Sequence, residues 1–305
     1  MPTALNYAEQ YSQALANQFP YVLNFGALYA TPANGRYRFV NAKTIQIPTL
    51  STTGRVNADR DSIAQAARNY DNAWETKTLK NQRMWTTLVH PMDIDQTNQV
   101  ASIANITKTY NEFQKFPEMD AYTISKLYAE WGATTDPTTG KARVADTTAI
   151  TTANVLQIFD NMMLKMDNER IPVNGRILYV TNEIKYLLKE ADKISRQWSN
   201  DDSINRVVNR LEEVEIVGVP AQLMKTVYDF TEGWKPADDA DQVNMMLVLP
   251  EVVLTPVSYT FAKLDPPGAL SQGKYVYYEE SFEDVFVLNQ RAGGVQFNIT
   301  KHAGA

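Results

Sequence analysis

Residues 99–131 read Gln99-VASIANITKTYNEFQKFPEMDAYTISKLYAE-Trp131. Ile103, Ile106, Tyr110 and Phe113, then Ile124, Leu127, Tyr128 and Trp131, fall on one face of a 3.6-residue period. A continuous helix over this stretch would be about 50 Å long at 1.5 Å per residue, longer than a small domain is wide. Pro117 sits in its middle. A proline there cannot donate to the preceding turn and its ring crowds it, so the spacing predicts a kink or a restart. Asp95 or Thr97 is the expected N-terminal cap. A helix this long and one-sided must be covered along its length by a sheet or a neighbouring subunit.

Working outward toward the N-terminus, Thr44-Ile45-Gln46-Ile47-Pro48-Thr49-Leu50 alternates and is β-branched, the pattern of a strand. A polar stretch follows from Ser51 to Asn72, carrying Arg55, Asp59, Arg60, Asp61 and Arg68. Ala73–Met92 alternates again, with Trp74, Thr76, Thr78, Met84, Trp85, Leu88 and Val89 among charged residues. Two strands flanking a long polar excursion predict a ribbon, and an excursion of that length is usually functional. Such a ribbon has little core of its own and gains order by lying on a neighbour. Before it, residues 1–42 predict an arm, with one short amphipathic helix at Ala4–Asn17 and breaks at Pro20, Gly26, Pro32 and Gly35. Phe19, Tyr21, Phe25, Tyr29 and Tyr37 make this segment too aromatic for a simple disordered tail.

On the other side, Gly132, Asp136-Pro137 and Thr138-Thr139-Gly140 form a turn cluster. Thr151 or Thr152 is the expected cap of a helix to about Glu169, with Val155, Phe159, Met162 and Met166 on its apolar face. Arg176–Thr181 reads as a short buried strand, Asn182 as the cap of a further helix, and Val214–Pro220 and Asn244–Leu249 as strands. Strands alternating with helices predict an α/β unit over about 150–255. The tail is β-rich: 257–264, 274–279, 285–289 and 294–299 read as strands, and they are the apolar surface available to cover the long helix.

Composition removes several chemistries. The 305 residues contain no cysteine and two histidines, His90 and His302, so disulfides, thiolate metal sites and cysteine nucleophiles are absent. Net charge is −6 with the signs interspersed, and no basic block points to nucleic-acid recognition. No apolar run reaches the length of a transmembrane helix, and no signal peptide is visible. GxSxG, GxxxxGK[ST] and GxGxxG do not occur. His90-Pro91-Met92-Asp93-Ile94-Asp95 is the one cluster with metal-ligand residue types; its plainer reading is the end of a strand and the start of a helix. Glu212-Glu213, Asp238-Asp239 and Glu279-Glu280 read as solvated pairs, because an acid/base dyad needs environments that push two pKa values apart.

The order arm, ribbon, long helix, α/β unit, β-rich return resembles the HK97-fold major capsid proteins of tailed bacteriophages. The local matches are Lys43–Leu50 leading to Thr53-Gly54-Arg55-Val56 and Asp59-Arg60, Trp74–Leu79 through Arg83, Val89–Asp95, Glu118–Tyr122, Ile216–Pro220, Leu249-Pro250, and Tyr277–Glu279 to Phe286–Leu288 followed by Gly293-Gly294. The resemblance covers essentially the whole chain and lies in the ordered set. It implies an α+β, HK97-like fold: an N-terminal arm (1–42), an extended loop (43–93), a peripheral domain with a spine helix (94–150), an axial domain (151–255) and return strands (256–305).

It also implies a non-enzymatic shell protein that self-assembles as pentamers and hexamers around double-stranded DNA. The subunit would be in the virion, and in the host cytoplasm during assembly. No cofactor, metal or membrane is expected. Because the arm starts at Met1, a separate scaffolding protein is expected, together with a portal protein. Contact with packaged DNA should be weak and non-specific for a net-negative subunit. Tyr21, Phe25, Arg55, Asp59, Arg60, Arg68, Trp74, Lys77, Lys80 and Arg83 are the expected inter-subunit contacts. Lysine–asparagine cross-linking, which some relatives perform, is not carried over, since no motif aligns a catalytic glutamate. Two alternatives stand beside this reading: an encapsulin-type compartment shell, and a metal-dependent enzyme using His90, Asp93 and Asp95.

Overall fold

The computed structural model describes residues 22–55, 68–96, 101–137, 139–191, 210–211 and 213–302. The long stretch is helical from Ile103 to Gly132 in three hydrogen-bonding regimes. An α-helix runs Ile103–Tyr110, and the Ser102 hydroxyl caps it by accepting from the Asn105 N–H. The cap is therefore Ser102 and not Asp95, which lies in the short helix Pro91–Gln96; Thr97 is outside the described residues. A π segment follows at Asn111–Lys115, where the Phe116 N–H reaches the Asn111 carbonyl. The α-ladder restarts at Phe116 and continues to Gly132, with Pro117 in its first turn. Proline explains the change: it lacks the donor for the carbonyl four residues back and crowds it, and a wider turn relieves both.

A five-stranded sheet forms the body, in the order Val295–Thr300, Gln242–Val248, Ile177–Thr181, Val214–Val219, Arg210–Leu211. Only Ile177–Thr181 and Val214–Val219 are parallel. That pairing requires a crossover, which includes helix Asn182–Glu190. The Thr181 hydroxyl caps this helix through the Ile184 N–H, one residue earlier than expected. Helix Val155–Asn168 starts later than the Thr151 or Thr152 cap predicts; the Thr151 carbonyl takes the Asn154 and Val155 N–H groups in a preceding turn.

The sheet is covered on both faces. One face packs Leu178, Val180, Met245 and Leu247 against the helices through Val155, Phe159, Met162, Met166, Ile184 and Leu188. The other packs Tyr179, Met246, Val248 and Phe297 against Ala121, Ile124, Leu127 and Trp131 of the long helix and against Phe25 and Leu28. Burial on both sides is why these strands read as unbroken apolar runs. The far edge of the sheet at Val295–Thr300 is closed by Asp146, whose N–H bonds the Phe297 carbonyl and whose carbonyl takes the Ile299 N–H.

Ala73–Met92 reads as one returning strand, but the chain makes two. Tyr70–Thr78 pairs with Thr44–Thr52, which pairs with Arg38–Asn41. Asn81–Val89 instead pairs with Tyr275–Glu283, whose other neighbour is Val257–Asp265. The switch falls at Leu79-Lys80. Leu79 is buried with Ile45, Ile47, Leu254, Phe282, Phe286 and Leu288 at the base of the ribbon, and the Lys80 N–H is held by the Asp284 carboxylate at 2.8 Å.

The tail strands do cover the long helix. Tyr277 and Trp85 lie over its first half, in a smaller three-stranded sheet of Val257–Asp265, Tyr275–Glu283 and Asn81–Val89, with Trp85 stacking on Tyr110 at a centroid distance of 3.8 Å, while the Phe297 ring meets Tyr128 and Trp131 edge-on over its second half.

One close approach depends on glycine. The Arg143 guanidinium donates twice to the Glu169 carboxylate, at 2.6 Å each, and that carboxylate lies against Gly293. A methyl at 293 would stand 1.9 Å from Glu169 Oε2. Gly293→Ala is expected to push Glu169 off Arg143, whose side chain is only 6% exposed. Breaking such a pair costs about 3 kcal/mol, which a lower urea midpoint with unchanged slope would report.

Candidate assembly interface

The ten expected contact residues separate into three groups. Tyr21, Asp59 and Arg60 lie outside the described residues. Arg55, Arg68, Trp74 and Lys80 are exposed. Phe25, Lys77 and Arg83 are engaged within the chain. Phe25 is wholly buried against Tyr179, at a centroid distance of 4.8 Å, and its N–H is accepted by Asp120. Lys77 Nζ donates to Glu130 at 3.1 Å and Asn289 at 3.2 Å. Arg83 donates to Glu118 at 2.6 Å and to the Phe230 carbonyl at 2.7 Å. Phe25 therefore presents no surface, while Lys77 and Arg83 stay partly exposed beside their internal partners.

Strand register assigns the ribbon's faces, since residues directly opposite across antiparallel strands share a face. Pro48 faces Trp74, Leu50 faces Asn72, and Thr52 faces Tyr70. This face exposes Leu50 by 64%, Tyr70 by 54% and Trp74 by 44%. The Arg38 guanidinium lies 3.8 Å over the Trp74 ring. The other face carries Thr49, Ser51, Asp71, Ala73, Glu75 and Lys77, and only at its base does it enter a core through Ile45 and Ile47.

The smaller sheet is similarly two-sided. Trp85, Tyr277 and Glu279 face the long helix, where Lys115 makes a short ion pair with Glu279. Opposite them, Met84, Leu88, Tyr259 and Phe261 are exposed, with Tyr278 beside Phe261. Tyr259 and Phe261 present parallel rings 6.4 Å apart. Strand Val257–Asp265 is also the edge of this sheet, so its outer backbone groups are unpaired within it. Leu50, Tyr70, Met84, Leu88, Tyr259 and Phe261 are not among the ten expected contacts; Leu50, Met84 and Leu88 are legible in the sequence only as positions of alternating strands. Alternation was the available signal, but it identifies a face without saying which face is covered.

The chemical candidates resolve differently. His90 Nδ1 accepts the Met92 N–H at 3.1 Å, so it serves the start of helix Pro91–Gln96. Among the described residues, no three potential ligands converge on a metal position. Glu279 and Glu280 point to opposite faces: Glu279 meets Lys115 and the Tyr277 hydroxyl, and Glu280 meets Gln82 and the Tyr278 hydroxyl. Hydrogen bonds from Gln82 and Tyr278 hold the Glu280 carboxyl below its usual range. Asp238 and Asp239 are exposed, and Glu212 is outside the described residues. No described helix is long and apolar enough to cross a membrane.

No protein-family model matches this sequence, and no curated protein matches it. The fold does have counterparts: the chain has the mixed α+β, HK97-like fold of phage capsid subunits. It is similar to the mature capsid of bacteriophage PhiM1, with a TM-score of 0.68 and 12% identity over 98% of this chain and 93% of that one. The capsid of the cyanophage P-SCSP1u gives 0.64 and 12% over 97% and 94%. The acidic stable capsid of Helicobacter pylori bacteriophage KHP30 gives 0.60 and 10% over 97% and 95%. At such identities the likeness is one of fold.

Proposed function

We propose that this chain is a major capsid protein, a non-enzymatic subunit that self-assembles into the icosahedral head of a tailed phage around double-stranded DNA. The observation that carries the reading is the ribbon, whose Leu50–Tyr70–Trp74 face is left exposed by its own chain. Likeness to capsid subunits over nearly the whole chain supports it. In this reading the ribbon is the extended loop. It is restricted to about 44–78, because 81–89 pairs in the smaller sheet. The helix from 103 to 132 is the spine, the smaller sheet belongs to the peripheral domain, and the five-stranded sheet with its two helices is the axial domain.

Each ribbon lies across a neighbouring subunit, and many modest contacts sum into one stable shell as pentamers and hexamers. The exposed Arg55, Arg68, Trp74 and Lys80 are the contacts on the ribbon and at its base, beside Tyr21, Asp59 and Arg60, with Lys77 and Arg83 reaching the neighbour only through their exposed parts. A separate scaffolding protein and a portal protein complete assembly in the host cytoplasm, and the net charge of −6 makes DNA contact weak.

Electron microscopy tests the proposal. The expected result is this polypeptide, identified by mass spectrometry, in DNA-filled heads. Small uniform shells around protein cargo would instead favour an encapsulin-type compartment.

A further inference from the structure

Four carboxylates meet where the long helix, the hairpin 257–283 and the base of the ribbon converge: Glu118, Glu279, Glu283 and Asp284. Three of them are matched. Glu118 takes Arg83 Nε at 2.6 Å. Glu279 takes Lys115 and the Tyr277 hydroxyl. Asp284 takes the Lys80 N–H, the Tyr122 hydroxyl and the Val285 N–H, each at 2.8 Å.

Glu283 is the exception, with no donor or cation in hydrogen-bonding contact among the described residues. It sits at the last paired position of its strand, between Asn81 and Val257. Together with Tyr29, Glu118, Tyr122 and Asp284 it lines a narrow cleft of about 10 Å³, room for roughly one water.

We propose that this junction is a proton-operated clasp, in which Glu283 takes a proton from bulk water to close the joint between helix, hairpin and ribbon base, and loosens it on releasing that proton. Among the described residues, no group facing Glu283 forms a hydrogen bond or close ion pair with its carboxylate. Of the cations at the junction, Arg83 and Lys115 are each already shared with another carboxylate, and the Lys80 side chain is exposed. Tyr29, Tyr110 and Tyr122 are held neutral by burial, their phenols raised far above the usual range, and Tyr277 is raised to about 12. Glu283 itself is raised by desolvation first and then by Glu118, Glu279 and Asp284, against a smaller lowering by Lys115. Location gives this titration its reach: Asp284, the next residue, holds the Lys80 N–H at the point where the chain passes from one sheet to the other.

The sign follows from linkage. A carboxyl raised in the folded state destabilises the fold when ionised, and this penalty is relieved as pH falls through the raised value. The clasp is a property of the subunit, whatever it assembles into.

The test is the melting temperature of the full-length chain between about pH 5 and pH 8, for wild type and Glu283→Gln, the neutral mimic of the protonated acid. Wild type is expected to melt higher as pH falls. Glu283→Gln should melt about 2–4 °C higher at neutral pH and show a flattened dependence. An unchanged slope in Glu283→Gln would overturn the proposal. If the amide fits poorly and lowers melting at every pH, hydrogen exchange in the wild-type segment 278–285 decides. Protection that rises as pH falls, beyond the intrinsic exchange chemistry, supports the clasp, and protection independent of pH overturns it.

Discussion

Leu50→Asp combined with Trp74→Asp is expected to abolish assembly while leaving a folded subunit. Both side chains lie on the ribbon's exposed face and in no core of the chain. Inside the subunit the double change loses little beyond the Arg38 contact over the Trp74 ring, an exposed cation–π interaction of about 0.5–1 kcal/mol. At an interface Trp74 has the character of a hot spot, where truncation costs about 2 kcal/mol or more, and Leu50 adds buried apolar area beside it. The penalty recurs at every subunit contact, and burying two new carboxylates adds to it. Size-exclusion chromatography and electron microscopy should find no shells, with the subunit melting within about 2–4 °C of wild type. Normal shells from this variant would mean that the ribbon's apolar face is not an interface.

The second large effect is expected inside the subunit. Asp120 is wholly buried on the long helix and accepts the Asn24 N–H at 2.9 Å, the Phe25 N–H at 3.1 Å and the Asn24 side-chain amide at 2.9 Å. Asp120→Ala leaves the buried Phe25 N–H facing a core and takes one partner from the half-buried Asn24. A stranded buried donor costs about 1–3 kcal/mol, so with the weaker loss at Asn24 the total is of the order of 2–4 kcal/mol, a large share of the roughly 5–15 kcal/mol that holds a typical domain. The first structural consequence should be release of Phe25 and Leu28 from the sheet. Faster proteolysis near residues 22–30 and a lower denaturation midpoint are the readouts. An unchanged midpoint would show that the segment is held by packing alone, through Phe25 on Tyr179 and the Tyr29 hydroxyl on Thr123.

The periodic elements were legible because their signals are local. The stripe from Ile103 to Trp131 marked a helix, and Pro117 marked its interruption. The interruption took the form of a π segment just before the proline, since a short widening accommodates the ring without ending the helix. Val155, Phe159, Met162 and Met166 marked a buried helix face. The ribbon was legible as alternation around a polar stretch. Caps were misplaced by one to several residues, because Ser102 and Thr181 compete with equally suitable neighbours and only backbone geometry selects among them.

The sequence by itself determined the element types, the order that resembles the capsid fold, and the absence of thiol chemistry and of familiar nucleotide and nucleophile motifs. Only the tertiary structure decided that Phe25 belongs to the core, that the chain changes sheets at Leu79-Lys80, that Lys77 and Arg83 pair with the long helix, and that Glu283 has no hydrogen-bond partner among the described residues. The reason is physical. Periodicity is set by neighbours three or four residues away, whereas these outcomes depend on contacts between distant positions: Phe25 with Asp120, 95 residues apart, and Lys80 with Asp284, 204 apart. No local pattern carries the identity of a partner that far along the chain.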